Sequence, residues 1–286
     1  MPGTDGAGPK NAAPAATGSG GALDELTERH WRLLLLIGEH GWFTTAQVTT
    51  MRFDSRPTAV RHLRALHGAG LLVRYVARRD PSHLAHYLIS AKGAQALQRW
   101  LRDAGQPVPL GLGQRGKKDP DQLMVNDFFV RLVAHARSTG TGHLYRWRHA
   151  LDTAAWLRRY AIPRARTQGD GVWIEDNMAL SFLLHVDHDE PSPIARTPAP
   201  PPSARLRGYQ PATSGVPANA ALVITTTTRR ELQLHRELAE APLPLTVAVT
   251  TRPRLDCAAS PADRIWTVGT APTEPRRLRE IIAKPT

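Results

Sequence analysis

Apolar residues recur at helical spacing from Leu26 through Leu33, Leu34 and Ile37. That pattern predicts an amphipathic first helix, which Gly41 ends. Thr27 followed three residues later by His30 is a poor capping pair, so the helix start is loosely marked. Thr44 or Thr45 is placed to cap a short second helix reaching Thr50 or Met51, with Val48 turned inward. Ser55 is the expected cap of a third helix, and Pro57 suits its first turn. Val60, Leu63 and Leu66 form the expected buried stripe of that helix. Arg56, Thr58, Arg61, His62 and Arg64 occupy the remaining faces. Gly68 and Gly70 stop it. Residues 71–79 and 85–90 then read as two strands joined by the turn residues Asp80-Pro81-Ser82. Helix, short helix, basic helix and hairpin in succession are the order of a winged helix-turn-helix, here over residues 23–102.

The pattern continues with a helix over Lys92–Leu101, where Ala94, Leu97 and Leu101 share a side. Trp100 on it is either core or a dimer contact. Residues 103–120, with Gly105, Pro107, Gly111, Gly113, Gly116, Lys117, Lys118 and Pro120, read as a linker. A second unit is expected over 121–286. It opens with a long amphipathic helix carrying Leu123, Val125, Phe128, Phe129, Leu132, Val133 and Ala136. A strand over His143–His149 follows, then a short helix or irregular arm to Tyr160. Residues 169–174 and 180–187 form a hairpin, and 220–227, 245–251 and 265–268 are further strands. A helix spans Arg229–Ala239. Strand, helix, strand makes the second unit mixed α/β and the whole chain α+β. A Pro-rich loop covers 189–219, and residues 1–22, rich in Gly, Ala and Pro, are expected to be a disordered tail rather than a signal peptide.

Charge sharpens this picture. The 286 residues carry a formal net charge of +12. Residues 23–103 hold 12 Lys or Arg against 7 Asp or Glu, and residues 104–170 hold 11 against 5. Residues 171–286 are close to balanced, 13 against 12. The basic surface therefore belongs to the first 170 residues and favours a polyanionic partner. A single cysteine, Cys257, permits no internal disulfide and fits a reducing cytoplasm. It is expected to be a buried or half-buried thiol. No apolar run approaches the roughly 18 residues of a membrane helix.

A helix fits the major groove, and its outward side chains reach base edges. The expected duplex-DNA contacts are Thr45, Arg56, Thr58, Arg61, His62 and Arg64, joined by Arg74, Arg78 and Arg79 on the wing. His83 lies near them. The alternative is a small bundle with a solvated basic face. Arg158, Arg159, Arg164 and Arg166 near Trp156 and Tyr160 form a further basic-aromatic cluster, suited either to a nucleic acid backbone or to a solvated edge.

The succession resembles the replication-relaxation family of bacterial plasmids and integrative elements. The likeness is carried by residues 26–30, Phe43-Thr44-Thr45-Ala46-Gln47-Val48, Met51-Arg52-Phe53, residues 61–66 and residues 87–93. Val125-Asn126-Asp127-Phe128, Gly169-Asp170-Gly171, residues 182–187 and residues 222–225 continue it. The resemblance implies a winged-helix protein that binds double-stranded DNA in replication or transcription control of a plasmid or mobile element. A homodimer, and contacts with replication or conjugation proteins, would suit that role. The resemblance also implies a second unit like a degenerate restriction-endonuclease fold. Such nucleases need an Asp, then an acidic residue and a Lys one residue apart on the next strand. Here Asp170 is followed by His185-Val186-Asp187, without the acidic residue or the Lys. Asp170, His185 and Asp187, with His188 and Asp189, remain weak candidates for a transition-metal site and a metal-dependent nuclease. The expectation is a non-enzyme without cofactor. No phosphate-cradling Gly-rich loop with Lys-Ser/Thr and no nucleophile elbow is present. Tyr145 and Tyr160 lack the His triad of a relaxase. A protein-docking role for the winged helix is the third reading.

Overall fold

The structure is a computed structural model that describes residues 26–76, 84–110, 112, 120–160, 167–187, 218–240, 243, 245–269 and 274–281. Its first part contains α1 (Glu28–His40), β1 (Phe43–Thr44), α2 (Thr45–Arg52), α3 (Arg56–Gly68), β2 (Leu72–Val76), β3 (Ala85–Ile89) and α4 (Ala91–Asp103). Leu33, Leu34 and Ile37 of α1 pack with Phe43, Val48, Leu63, Leu66, Leu71 and Leu97 in one buried cluster. The local signals explain the boundaries. Gly41 follows α1 with φ of 79°, and its N–H returns to the Ile37 carbonyl. Thr44 caps α2, its hydroxyl accepting from the Gln47 amide while the Gln47 side chain accepts from the Thr44 amide.

Three sequence expectations change here, and the open choice for Trp100 falls to the core. The hairpin is the larger part of a three-stranded sheet in the order β1-β3-β2, because Phe43 and Thr44 pair with Tyr87 and His86. The Thr27–His30 pair does close the start of α1, since the Thr27 amide donates to His30 Nδ1 at 3.1 Å. An imidazole there does what Glu or Gln usually does. The buried stripe of α3 is Ala59, His62, Leu63 and Leu66, and Val60 is only half-buried. Trp100 stacks on Trp31 of α1 with ring centroids 5.5 Å apart.

Arg78, Arg79 and His83 lie outside the described residues, as do residues 111 and 113–119 of the expected linker and most of the Pro-rich loop.

The second part begins with α5 (Pro120–Thr139) and β4 (His143–His149), then α6 (Ala150–Arg158), β5 (Gly169–Glu175) and β6 (Met178–Asp187). After the Pro-rich stretch come β7 (Ala220–Thr225), α7 (Thr228–Glu240), β8 (Thr246–Thr251), α8 (Arg252–Cys257), β9 (Thr267–Val268) and a 3-10 turn at Leu278–Ile281. The strands make one six-stranded sheet ordered β4 to β9. β4, β5 and β6 are antiparallel, β6–β7 and β7–β8 are parallel, and β9 returns antiparallel. Asp176 and Asn177, at φ of 51° and 61°, turn the chain between β5 and β6, the two left-handed residues that a tight hairpin prefers.

Helix α5 covers one face of this sheet. Phe128, Phe129 and Leu132 meet Phe182, Leu184, Leu222 and Trp266 there. A Cβ on Gly171 would stand 2.6 Å from Phe182 and 2.7 Å from Phe129, so only glycine lets these rings lie on the strand. The opposite face carries α6 and α7 through Leu157, Leu234 and Leu238 against Leu183, Val223 and Val249. Cys257 is exposed rather than buried, because the short α8 turns Leu255 inward instead. Among the described residues no helix is long and apolar enough to cross a membrane.

Helix α5 also binds the first part. Asn126, wholly buried, donates its amide to the carbonyls of His40 at 3.0 Å and Trp42 at 2.8 Å. Its own carbonyl accepts from Gln122. Val130 joins the core of the first part, and Trp147 of β4 lies between His40 and Phe129, with ring centroids 3.6 Å and 4.6 Å away. Asn126→Ala would strand two carbonyls at the end of α1. Its expected cost is roughly 2–4 kcal/mol of unfolding free energy, read by urea denaturation. A loss under about 0.5 kcal/mol would mean that water replaces the amide without penalty.

Candidate nucleic-acid interface

Helix α3 begins after Ser55, whose hydroxyl lies 2.9 Å from that of Thr58. With Ala59, Leu63 and Leu66 fixed in the core, Arg56, Arg61 and Arg64 are left exposed. Arg74 on β2 is also exposed. Between α3, the start of α2 and the β2–β3 hairpin runs a groove of about 680 Å³. Thr45, Arg56, Val60, Arg64, His67 and Arg74 line it, with Leu84 and Tyr87 at the hairpin side. Thr45 stands in the first turn of α2, where unpaired backbone N–H groups add positive potential. Three arginines and a histidine around a concave surface suit a polyanion.

The sequence-predicted residues therefore divide. Thr45, Arg56, Arg64 and Arg74 meet at the groove. Arg61 is exposed on α3 outside that lining. Thr58 is half-buried and shares its hydroxyl with Ser55. His62 does not face outward at all. It is 8% exposed, stacks on Phe53 with centroids 5.0 Å apart, and lies 2.9 Å through Nδ1 from Nε2 of His30. The error arose because His62 neighbours the apolar stripe, and a neutral imidazole paired to a second one can be buried there. His67 was not singled out in the sequence, and Val60 was expected in the buried stripe rather than at the groove. The helical spacing from Arg56 through Val60 and Arg64 to His67 would have found them.

The His30–His62 pair has a definite protonation pattern. His30 Nδ1 accepts from the Thr27 amide, so its proton sits on Nε2 and is donated to His62 Nδ1. Both rings are then neutral. Burial lowers the pKa of each below 6.5, and for His62 the neighbouring His30, Arg61 and Arg29 add to the effect.

The weak metal candidates are held otherwise. Asp170, 1% exposed, accepts from Nε and Nη2 of Arg148 at 2.8 and 2.9 Å and from the Thr153 hydroxyl at 2.6 Å. Asp187 accepts Arg230 Nε at 2.6 Å. His185 is buried in β6. Asp170 and Asp187 thus face guanidinium groups, and among the described residues no three His, Cys, Asp or Glu side chains gather around a possible ion.

A basic helix against a three-stranded wing defines the first part as a winged-helix module. The chain belongs to the replication-relaxation family, whose sequence model matches residues 34–197. That span starts inside α1, takes in the rest of the winged helix, α5 and the strands β4 to β6, and stops before β7. No curated protein matches the chain. Among solved structures, S. aureus MepR in complex with DNA is 18% identical, covering 29% of this chain and 67% of its own, at a TM-score of 0.27. Streptococcus pneumoniae FabT in complex with DNA is 16% identical over 42% of this chain and 81% of its own, at 0.27. The zinc-responsive MarR family member ZitR of Lactococcus lactis is 16% identical over 39% and 76%, at 0.25. Scores this low have no bearing on function.

The histidine pair generates a prediction with a fixed sign. The folded pKa values lie below 6.5, so the unfolded chain takes up protons first. Stability is then full above about pH 6.5 and falls as the pH drops through the window beneath it. Melting temperature should decline more between about pH 7.5 and 5.5 in the native chain than in the His30→Gln/His62→Gln variant. Equal declines would show that other groups carry the pH dependence.

Proposed function

We propose that the protein binds double-stranded DNA sequence-specifically through the winged helix, in replication or transcription control of a plasmid or other mobile element. The groove lined by Arg56, Arg64, His67 and Arg74 carries this reading. Arg61 and Arg64 reach base edges in the major groove, where arginine pairs with guanine, while Arg74 meets phosphate from the wing. The uneven positive charge supports it. A homodimer reading two half-sites, alongside replication or conjugation proteins, fits the same role.

Binding should separate the two kinds of contact. Arg64→Ala or Arg61→Ala is expected to weaken specific binding by roughly 1–3 kcal/mol. Arg74→Ala should weaken all duplexes alike and lower the slope of log K against log salt by about one. Titrations of specific and scrambled duplexes at several salt concentrations measure both. Unchanged affinity in both α3 variants would assign recognition elsewhere.

We further read the mixed sheet, which the family resemblance likened to a restriction-endonuclease core, as a support without cutting activity. Asp170 spends its oxygens on Arg148 and Thr153, and Asp187 accepts from Arg230. A carboxylate held by guanidinium is a poor Mg²⁺ ligand. Asp170→Ala should lower stability by about 3–5 kcal/mol by leaving Arg148 without its partner. Supercoiled plasmid should stay intact with Mg²⁺, Mn²⁺ or Zn²⁺. Metal-dependent nicking that Asp170→Ala abolishes in still-folded protein would restore the nuclease reading.

A further inference from the structure

A second concentration of cations and aromatic rings lies away from the groove, where β4 meets α6. Arg148 lies over the Trp156 ring, its guanidinium carbon 3.8 Å from the centroid, and Arg146 lies 5.4 Å from the same centroid. Both arginines approach one carboxylate. Arg148 takes Asp170 with two hydrogen bonds, whereas Arg146 Nε stops 3.7 Å from Asp170 and makes no hydrogen bond. One buried negative charge thus faces two positive ones. Arg158 and Arg159 are exposed on the same helix end. Burial and the adjacent Arg148 push the Arg146 pKa down, and the one carboxylate near Arg146 is already hydrogen-bonded twice by Arg148. Tyr160 meets Trp156 edge-on at 5.6 Å and is 44% exposed, and Tyr145, beside Arg146, is 68% exposed.

Exposed rings beside an under-neutralised guanidinium suit a flexible polyanion with flat faces. Phosphates meet the arginines, and bases stack on the tyrosines. A duplex hides its base faces and would gain nothing from Tyr145 or Tyr160. We propose that the β4–α6 surface binds single-stranded nucleic acid, separately from the duplex groove of the winged helix.

The test uses the full chain and fluorescence anisotropy. Probes are labelled oligothymidine of about 15 nucleotides, the matching oligouridine, and a blunt duplex. Tyr145→Ala/Tyr160→Ala and Arg158→Gln/Arg159→Gln alter only exposed side chains, and circular dichroism confirms that they fold. The native chain should bind a single strand, and either sugar supports the proposal. The tyrosine pair should weaken that binding at least about tenfold, with duplex affinity unchanged. The arginine pair should weaken it and flatten its salt dependence. Arg64→Ala should do the reverse, losing duplex and keeping the strand. No binding of either oligonucleotide, unchanged binding in the tyrosine variant, or equal loss in Arg64→Ala would overturn the proposal.

Discussion

The end of α1 sets the arrangement of everything else. A helix leaves its last carbonyls without partners. Gly41 turns the chain too soon for a longer cap, and the carbonyls of His40 and Trp42 are met by a side chain eighty-odd residues later. Asn126 supplies two donors from one planar amide, so it fixes both the position and the rotation of α5. Trp147 completes the junction from the sheet by filling the space between His40 and Phe129. A directional polar contact specifies the geometry, and the surrounding rings exclude the water that would compete for it. The groove therefore sits on a body whose orientation to the large sheet is set by one buried amide together with the packing of Val130 and Trp147 around it.

Much of the first part was legible because its signals are local. Gly41, Thr44 and Ser55 each mark a boundary within a few residues of where it lies, and the order of elements leaves few other ways to bury Leu33, Leu63 and Leu66. The hairpin Gly169–Asp187 was legible for the same reason. What the sequence concealed depends on partners far along the chain. The short β1 has two residues, and no periodicity exists in two positions. His62 reads as an outward cation until His30 and Phe53 are placed beside it. Of the groove residues, Thr45 and the arginines were found, Val60 was assigned to the core, and His67 emerged only once the wing gave α3 a second side.

Buried charge shows the same limit. Glu231 is 1% exposed, yet in sequence it belongs to an ordinary polar helix start. In the fold it accepts from Nη1 and Nη2 of Arg254 and from the hydroxyl of Thr267, and the Thr267 hydroxyl in turn lies 2.9 Å from His235 Nε2. With Asp170–Arg148 and Asp187–Arg230, this gives the sheet three carboxylate–guanidinium pairs at its α6 and α7 side. Each must be complete, because a lone member would be an unpaired charge in a dry place. These pairs specify how helices seat on the sheet, and they draw carboxylates away from other chemistry.

The sheet also has a kinetic consequence. β6 pairs on one side with β5 across a two-residue turn and on the other with β7, which begins only at Ala220. The first pairing closes a tiny loop and is accessible in microseconds. The second must wait until the chain has travelled back along the sheet, and parallel pairing of this separation is intrinsically slow. Until β7 arrives, Leu183 and Leu184 form an open, apolar strand edge. Synthesis makes the exposure longer, since the hairpin leaves the ribosome well before its neighbour. The period of risk for edge-to-edge aggregation is therefore written into the order of strands, and chaperone demand during synthesis should centre on β6.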